Sequence, residues 1–345
     1  MSPYILSMML ISLGLGTTLT FASSNWFLAW MGLEINTLAI IPLMTHHHHP
    51  RAVEAATKYF ITQAAAAALL LFTGLINAWQ SGQWLIQDMS MPLSALMALA
   101  IAIKLGVAPM HFWLPEVMQG ITLHTGLILA TWQKLAPLAL LYQISNNLMP
   151  ELMITLGLMS TIIGGWGGLN QTQVRKIMAY SSIAHLGWII SIMHFMPTLA
   201  IINLTIYIIL TTTMFLIFIA LNSTTINSLA LNWSKFPVLS AFSMLALLSL
   251  GGLPPLSGFL PKWLILQELT NQDLTLTATV IALSALLSLY FYLRLSYSLT
   301  TTITPNTYSQ MFNWNIKTKM TFILPIMMTL SITLLPISPS IISMF

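Results

Sequence analysis

Four ionisable residues stand near the middle of long apolar stretches. Glu34 lies between Phe27 and Leu38, and Lys104 closes a largely apolar run from Leu93. Lys134 lies between Leu127 and Leu138, and Lys262 directly follows Pro261. Each costs about 2.5–3.5 kcal/mol at the centre of a membrane helix, so the set costs on the order of 10 kcal/mol unless paired or hydrated. A buried ion pair that only fixes helix packing accounts for Glu34 with one lysine. Two lysines then remain without an acid at comparable depth, because Glu116 and Glu268 lie nearer the ends of their stretches. Burial disfavours charged lysine and a neighbouring carboxylate favours it. Lysines held between those influences can take up and release protons, which favours a relay over packing alone.

His185 follows Tyr180, Ser181 and Ser182 in an apolar stretch, a setting that suits either a hydrated proton path or a hydrogen-bonded core histidine. His111 and His124 flank a helix interruption and make weaker candidates. A haem would need axial histidines on facing helices, and nothing identifies partners for His185 and His194 in that role. The run His46–His49 reads as loop composition rather than a metal site. Cysteine is absent, which excludes disulfides, iron–sulfur ligation and thiolate catalysis by this chain. Gly14 and Gly16 lack the third glycine of a dinucleotide fingerprint, and Gly165 and Gly167 lead to Asn170 where that fingerprint needs glycine. No Walker sequence is present, so no nucleotide site is expected.

The elements that hold these residues are set by the solvent. Of 345 residues 57% are hydrophobic and 5% are charged, where a soluble domain carries about a quarter charged. The net charge of +4 comes from basic residues in short loops or inside apolar stretches, and no basic stripe exists to track nucleic acid. The opening residues lack a basic segment and a small-residue cleavage site, so no removable targeting peptide is expected. Cutting at polar and turn-forming residues predicts an all-α, polytopic membrane protein of about 11 transmembrane helices of roughly 20 residues each. They fall near 2–22, 26–45, 57–79, 91–117, 122–144, 150–169, 175–195, 198–221, 237–267, 275–298 and 320–341. The longest polar stretches, Asn222–Lys235 and Thr300–Lys319, are loop-sized, so the chain reads as a single membrane domain.

Arg51, Lys58, Arg175, Lys176, Lys235, Lys317 and Lys319 all follow even-numbered spans. Asp88, Glu151 and Asp273 sit on the other side. The positive-inside rule places the even loops and the N-terminus on the cytoplasmic or matrix side, and the C-terminus opposite. The fourth and ninth spans are too long and are interrupted. Gly106, Pro109 and Pro115 break one; Gly252, Pro255 and Pro261 break the other at matching spacing, with Trp113 opposite Phe259 and Leu114 opposite Leu260. Internal proline frees backbone carbonyls that lipid cannot satisfy. The interruptions are either Pro kinks of a packed bundle or paired transporter elements, and the matched neighbours favour the second. An offset of five spans inverts the second copy. The expectation is two inverted five-helix repeats, 1–145 and 150–299, each with a broken helix, then a loop and final helix over 300–345.

With these residues in place, the chain resembles the NADH–ubiquinone oxidoreductase chain 2 family, antiporter-like membrane subunits of mitochondrial complex I, in vertebrate-type form. The resemblance covers essentially the whole length. Its relatives elsewhere have fourteen helices; the animal form lacks the first three. The resemblance implies that Glu34 is the family's membrane glutamate and Lys104 its partner on the first broken helix. It further implies that Lys134 bridges toward the centre of a proton path and Lys262 stands nearest the exit; His185 corresponds more loosely. The implied location is the mitochondrial inner membrane. The implied partners are other membrane-arm subunits, including neighbouring antiporter-like chains and the lateral helix of the largest one. NADH, FMN, iron–sulfur clusters and ubiquinone would bind other subunits, leaving no cofactor in this chain. The implied activity is that of a subunit of a proton-translocating NADH:ubiquinone reductase. A free-standing cation/proton antiporter and a helical scaffold remain as alternatives. The first should carry its own substrate acids at the midplane, and this chain offers one glutamate and several lysines.

Overall fold

The computed structural model describes residues 2–46, 48–86, 89–233, 235–301 and 322–342. Asp88, His47, Lys317 and Lys319, and most of the polar stretch Thr300–Lys319, lie outside the described residues. The described chain is all helical apart from two isolated backbone bridges. Among the described residues six helices are long and apolar enough to cross a membrane. In lipid, every backbone group must be satisfied within its own segment, and helices do that. Serines and threonines follow the same rule: Thr17, Thr20, Ser181 and Thr213 each donate their hydroxyl to a carbonyl one turn back.

The helices fall into two compact units, the first formed by Met1–Ser160 and Ile190–Pro197. It contains α1 (Pro3–Ala22), α2 (Trp26–Met44), α3 (Pro50–Ser81), α4 (Met91–Leu105), α5 (Trp113–Gly120), α6 (Leu123–Ala130) and α7 (Trp132–Gln143). α8 (Pro150–Gly168) begins in it. α1 and α2 pack closely because glycines face each other. A Cβ on Gly32 would stand 2.9 Å from the Gly16 carbonyl oxygen, and one on Gly16 would stand 2.8 Å from that of Gly32. Small residues allow such an approach where lipid supplies no hydrophobic drive between helices. α3 begins at a cap: His49 Nδ1 accepts from the Arg51 amide at 3.2 Å, so one histidine of the loop run has a structural task.

The second unit comprises Thr161–Ile189 and Thr198–Phe345. It holds the end of α8, most of α9 (Val174–Met193) and α10 (Pro197–Ala220), then α11 (Ile226–Leu231), α12 (Pro237–Gly251), α13 (Phe259–Asn271), α14 (Thr275–Thr301), α15 (Ile323–Thr333) and α16 (Ser338–Ile342). Part of the expected loop Asn222–Lys235 is therefore helical, because Thr225 and Ser228 close a capping box that starts α11.

Each unit ties two of its loops by one backbone bridge. In the first, Asn25 pairs with Leu85; in the second, Gln173 pairs with Thr225.

Both interruptions are present, and they are alike in detail. α4 ends on Gly106 at φ 75°, ψ 39°, and α12 ends on Gly252 at φ 77°, ψ 37°. The left-handed conformation suits glycine and closes a helix C-terminus. Both breaks contain a cis proline, after Ala108 and after Pro254. The expected fifth span is not continuous either: it divides into α6 and α7 at Thr131, whose hydroxyl donates to the Leu127 carbonyl at 2.8 Å. No proline or glycine marks that interruption.

Candidate functional site

Lys104 occupies the last turn of α4, where a cation meets the negative end of the helix dipole. Its ammonium lies 3.6 Å from Glu34 Oε1 on α2, with the lysine side chain 1% exposed and the glutamate 23%. A direct charge-assisted hydrogen bond is about 2.7–2.9 Å. The pair is therefore in ionic contact but not closed, and neither Lys104 Nζ nor Glu34 Oε1 has a hydrogen-bond partner among the described residues. The Thr37 hydroxyl donates to the Glu34 carbonyl at 2.9 Å and stands 3.3 Å from Oε2.

Beside Lys104 is an internal cavity of about 20 Å³, bounded by Asn36, Gln63, Gln133 and Lys134 among others. One water-sized sphere needs about 10–15 Å³, so the space holds one molecule. Its polar frame is anchored from the backbone. Gln63 donates to the Lys104 carbonyl at 3.4 Å, and Gln133 donates to the Asn36 carbonyl at 3.2 Å. Asn36 is 2% exposed, and neither its Oδ1 nor its Nδ2 meets a hydrogen-bond partner among the described residues. An amide so placed needs a polar companion, and none of the described residues supplies one. Lys134, 3% exposed, enters the cavity from α7 between the break at Thr131 and Pro137. Proline there removes the amide bond that the Gln133 carbonyl would otherwise accept.

Three of the expected residues, Glu34, Lys104 and Lys134, are thus gathered in the first unit. Asn36, Gln63 and Gln133 complete that site and were not singled out by charge. Two of them had a signal: Asn36 stands two residues from Glu34, and Gln133 is adjacent to Lys134.

Lys262 and His185 belong to the second unit. The Lys262 ammonium donates to the Gly251 carbonyl at 2.7 Å, one of the acceptors left at the end of α12. Gly252 makes room for it, since a Cβ there would stand 2.8 Å from Lys262 Cδ. In the first break a neutral donor does the corresponding work: the Trp113 indole donates to the Ile103 carbonyl at 3.0 Å. The His185 ring stacks obliquely on Tyr207 of α10 at 5.4 Å, and Tyr207 has Ser182 and Thr211 as hydrogen-bond neighbours. Of the other histidines, His111 Nδ1 lies 3.1 Å from the Pro109 carbonyl and His194 Nδ1 lies 3.0 Å from that of Ser145. Glu116 pairs with Lys58 at 2.7 Å rather than with a deep lysine.

The family model described as NADH:quinone oxidoreductase/Mrp antiporter, TM, matches residues 23–288, and that of the NADH dehydrogenase subunit 2 C-terminus matches 289–342. A curated relative from Polypterus ornatipinnis, NADH-ubiquinone oxidoreductase chain 2, is 87% identical over 100% of both chains. This chain belongs to the NADH-ubiquinone oxidoreductase chain 2 family. The family's Xenopus laevis member is 62% identical, over 98% of this chain and 99% of that one. A chain of respiratory complex I from Thermus thermophilus has a TM-score of 0.82 at 25% identity, covering 97% of this chain and 80% of that one. A chain of the Mrp complex from Dietzia sp. shares the fold, with a TM-score of 0.77 at 20% identity over 86% of this chain and 60% of that one.

Proposed function

We propose that the chain is a core membrane-arm subunit of respiratory complex I that takes part in proton translocation across the mitochondrial inner membrane, driven by electron transfer from NADH to ubiquinone. Family membership supports the complex. The observation that carries the mechanism is the open Glu34–Lys104 pair beside a polar cavity that Lys134 also lines. With Glu34 ionised, Lys104 holds its proton; as the glutamate's influence is withdrawn, burial favours the neutral amine and the proton is released. The cavity offers the released proton a one-molecule step from Lys104 to Lys134, with Asn36 and Gln133 orienting it.

In this reading Lys262 acts nearest the exit, where the freed Gly251 carbonyl steadies its charge, and His185 is a polar group of the central path. NADH, FMN, iron–sulfur clusters and ubiquinone belong to other subunits. The neighbours are further antiporter-like chains and the lateral helix of the largest one. The topology is eleven spans in one membrane domain, as two inverted repeats over 1–145 and 150–299, with the N-terminus in the matrix and the C-terminus in the intermembrane space. Matched backbone angles at Gly106 and Gly252 support the repeat. So do the paired bridges: the first joins the loops after spans one and three, the second the loops after spans six and eight. A shift of five spans carries one onto the other and changes the side of the membrane.

The test is the proton-to-electron ratio of the assembled complex in sealed vesicles. Glu34→Gln and Lys104→Met should assemble and pump fewer protons per NADH. Removal of one member of a buried pair costs about 3–5 kcal/mol locally, which neighbouring subunits can sustain. Normal pumping by an assembled Glu34→Gln complex would refute the switch. The Mrp half of the family model's description keeps a free-standing antiporter as the second reading. Purification of the chain without NADH-oxidising partners would favour it.

A further inference from the structure

We propose that a groove between the N-terminal ends of α12 and α15 binds a phospholipid with an anionic head group, one acyl chain in the groove and the head group at Lys235. The groove measures about 440 Å³, within the range of sites that hold small ligands. Leu324 and Met328 form its floor at 4% and 6% exposure, and Val238, Phe242 and Phe322 form its walls. Lys235 stands at its polar end, exposed, and is the only charged residue lining it among the described residues. Among the described residues Lys235 makes no ion pair.

Both helices begin at that end of the groove. Neither first turn contains an acidic residue, and neither N-cap, Phe236 or Phe322, caps the helix with its side chain. The first-turn amides therefore add positive potential beside the lysine. A soluble anion would leave the apolar walls unused, and a zwitterionic lipid would set a second cation against Lys235. An anionic phospholipid satisfies both halves. Basic pockets between membrane helices on the matrix side suit such head groups. The inference rests on the chain lying in a bilayer, as proposed above, and is independent of the proton path.

The experiment uses the assembled complex in phosphatidylcholine vesicles doped with phosphatidylglycerol that carries a photoactivatable diazirine on one acyl chain. A phosphatidylcholine probe with the same chain is the comparison. The phosphatidylglycerol probe should label 236–242 and 322–328 about fivefold more strongly, the worth of one lysine at a membrane surface. Lys235→Gln should remove that preference and Lys235→Arg should restore it. Val238→Trp, which fills the groove and keeps the charge, should abolish labelling by both probes. Equal labelling by the two probes, or an unchanged preference in Lys235→Gln, overturns the proposal. Absence of label in both stretches, as when a protein segment occupies the groove, overturns it as well. Absence of label anywhere on the chain would instead overturn its membrane placement.

Discussion

Asn36 shows how a residue without charge can decide what charged neighbours do. It is buried, both of its side-chain polar atoms lack hydrogen-bond partners among the described residues, and it shares a cavity with Lys104 and Lys134. Leaving a buried polar group unmatched costs about 1–3 kcal/mol, whereas replacing it by an apolar group of similar shape is close to neutral. Asn36→Leu should therefore leave stability within about 1 kcal/mol of the parent. It should also dry the cavity and cut the step between the lysines. The expected outcome is a complex that assembles and withstands heating normally but pumps fewer protons per electron. Unchanged pumping would remove the cavity from the path. Lys262 illustrates the same scale in the second unit, where the missing side chain of Gly252 lets an ammonium reach a helix-end carbonyl.

At the scale of elements, the breaks position the chemistry. A membrane helix that stops within its span exposes acceptors, and each break recruits its own donor, Trp113 in one and Lys262 in the other. Gly106 is the pivot of the first. Its φ of 75° costs an ordinary residue about 1–2 kcal/mol, and a Cβ there would approach Leu114 Cδ1 to 2.9 Å. Gly106→Ala should lower the fraction of chain recovered in assembled complex after a heat challenge, and should lower pumping by displacing Trp113 from the Ile103 carbonyl. Gly14→Ala is the control. It lies in α1 with nothing within 4 Å of the added methyl, and alanine improves helix propensity by up to about 1 kcal/mol. The two substitutions should move recovery in opposite directions.

For the whole molecule the testable property is sidedness. The chain has no native cysteine, so single cysteines report cleanly. Ser90, exposed at the start of α4, follows the third span. Asn227, exposed in α11, follows the eighth and is preferable to Ser228, whose hydroxyl closes the capping box with Thr225. Ser90→Cys and Asn227→Cys should react with an impermeant maleimide from opposite sides of the membrane, Asn227→Cys from the matrix. Labelling of both from one side would end the proposed topology and the inverted repeat together.

Much of this molecule was legible in one dimension because lipid is a severe solvent. It permits few charges and almost no free backbone groups, so each exception stands out against an apolar background. Glu34, Lys104, Lys134 and Lys262 were visible for that reason, and so were the breaks at Gly106 and Gly252. Polar side chains that satisfy their own helix leave no such contrast. Nothing in residue type separates Thr131, where a helix divides, from Thr211, which donates to the Tyr207 carbonyl within an unbroken one. Helix register and contact distance likewise decided the Glu34–Lys104 separation of 3.6 Å, a value that leaves the pair open. The cavity depended on six helices meeting, with Asn36, Gln63, Lys104, Trp113, Leu129 and Lys134 drawn from positions up to 98 residues apart. Solvent preference is a property of each residue and can be read singly; proximity is a property of the folded chain, and only packing creates it.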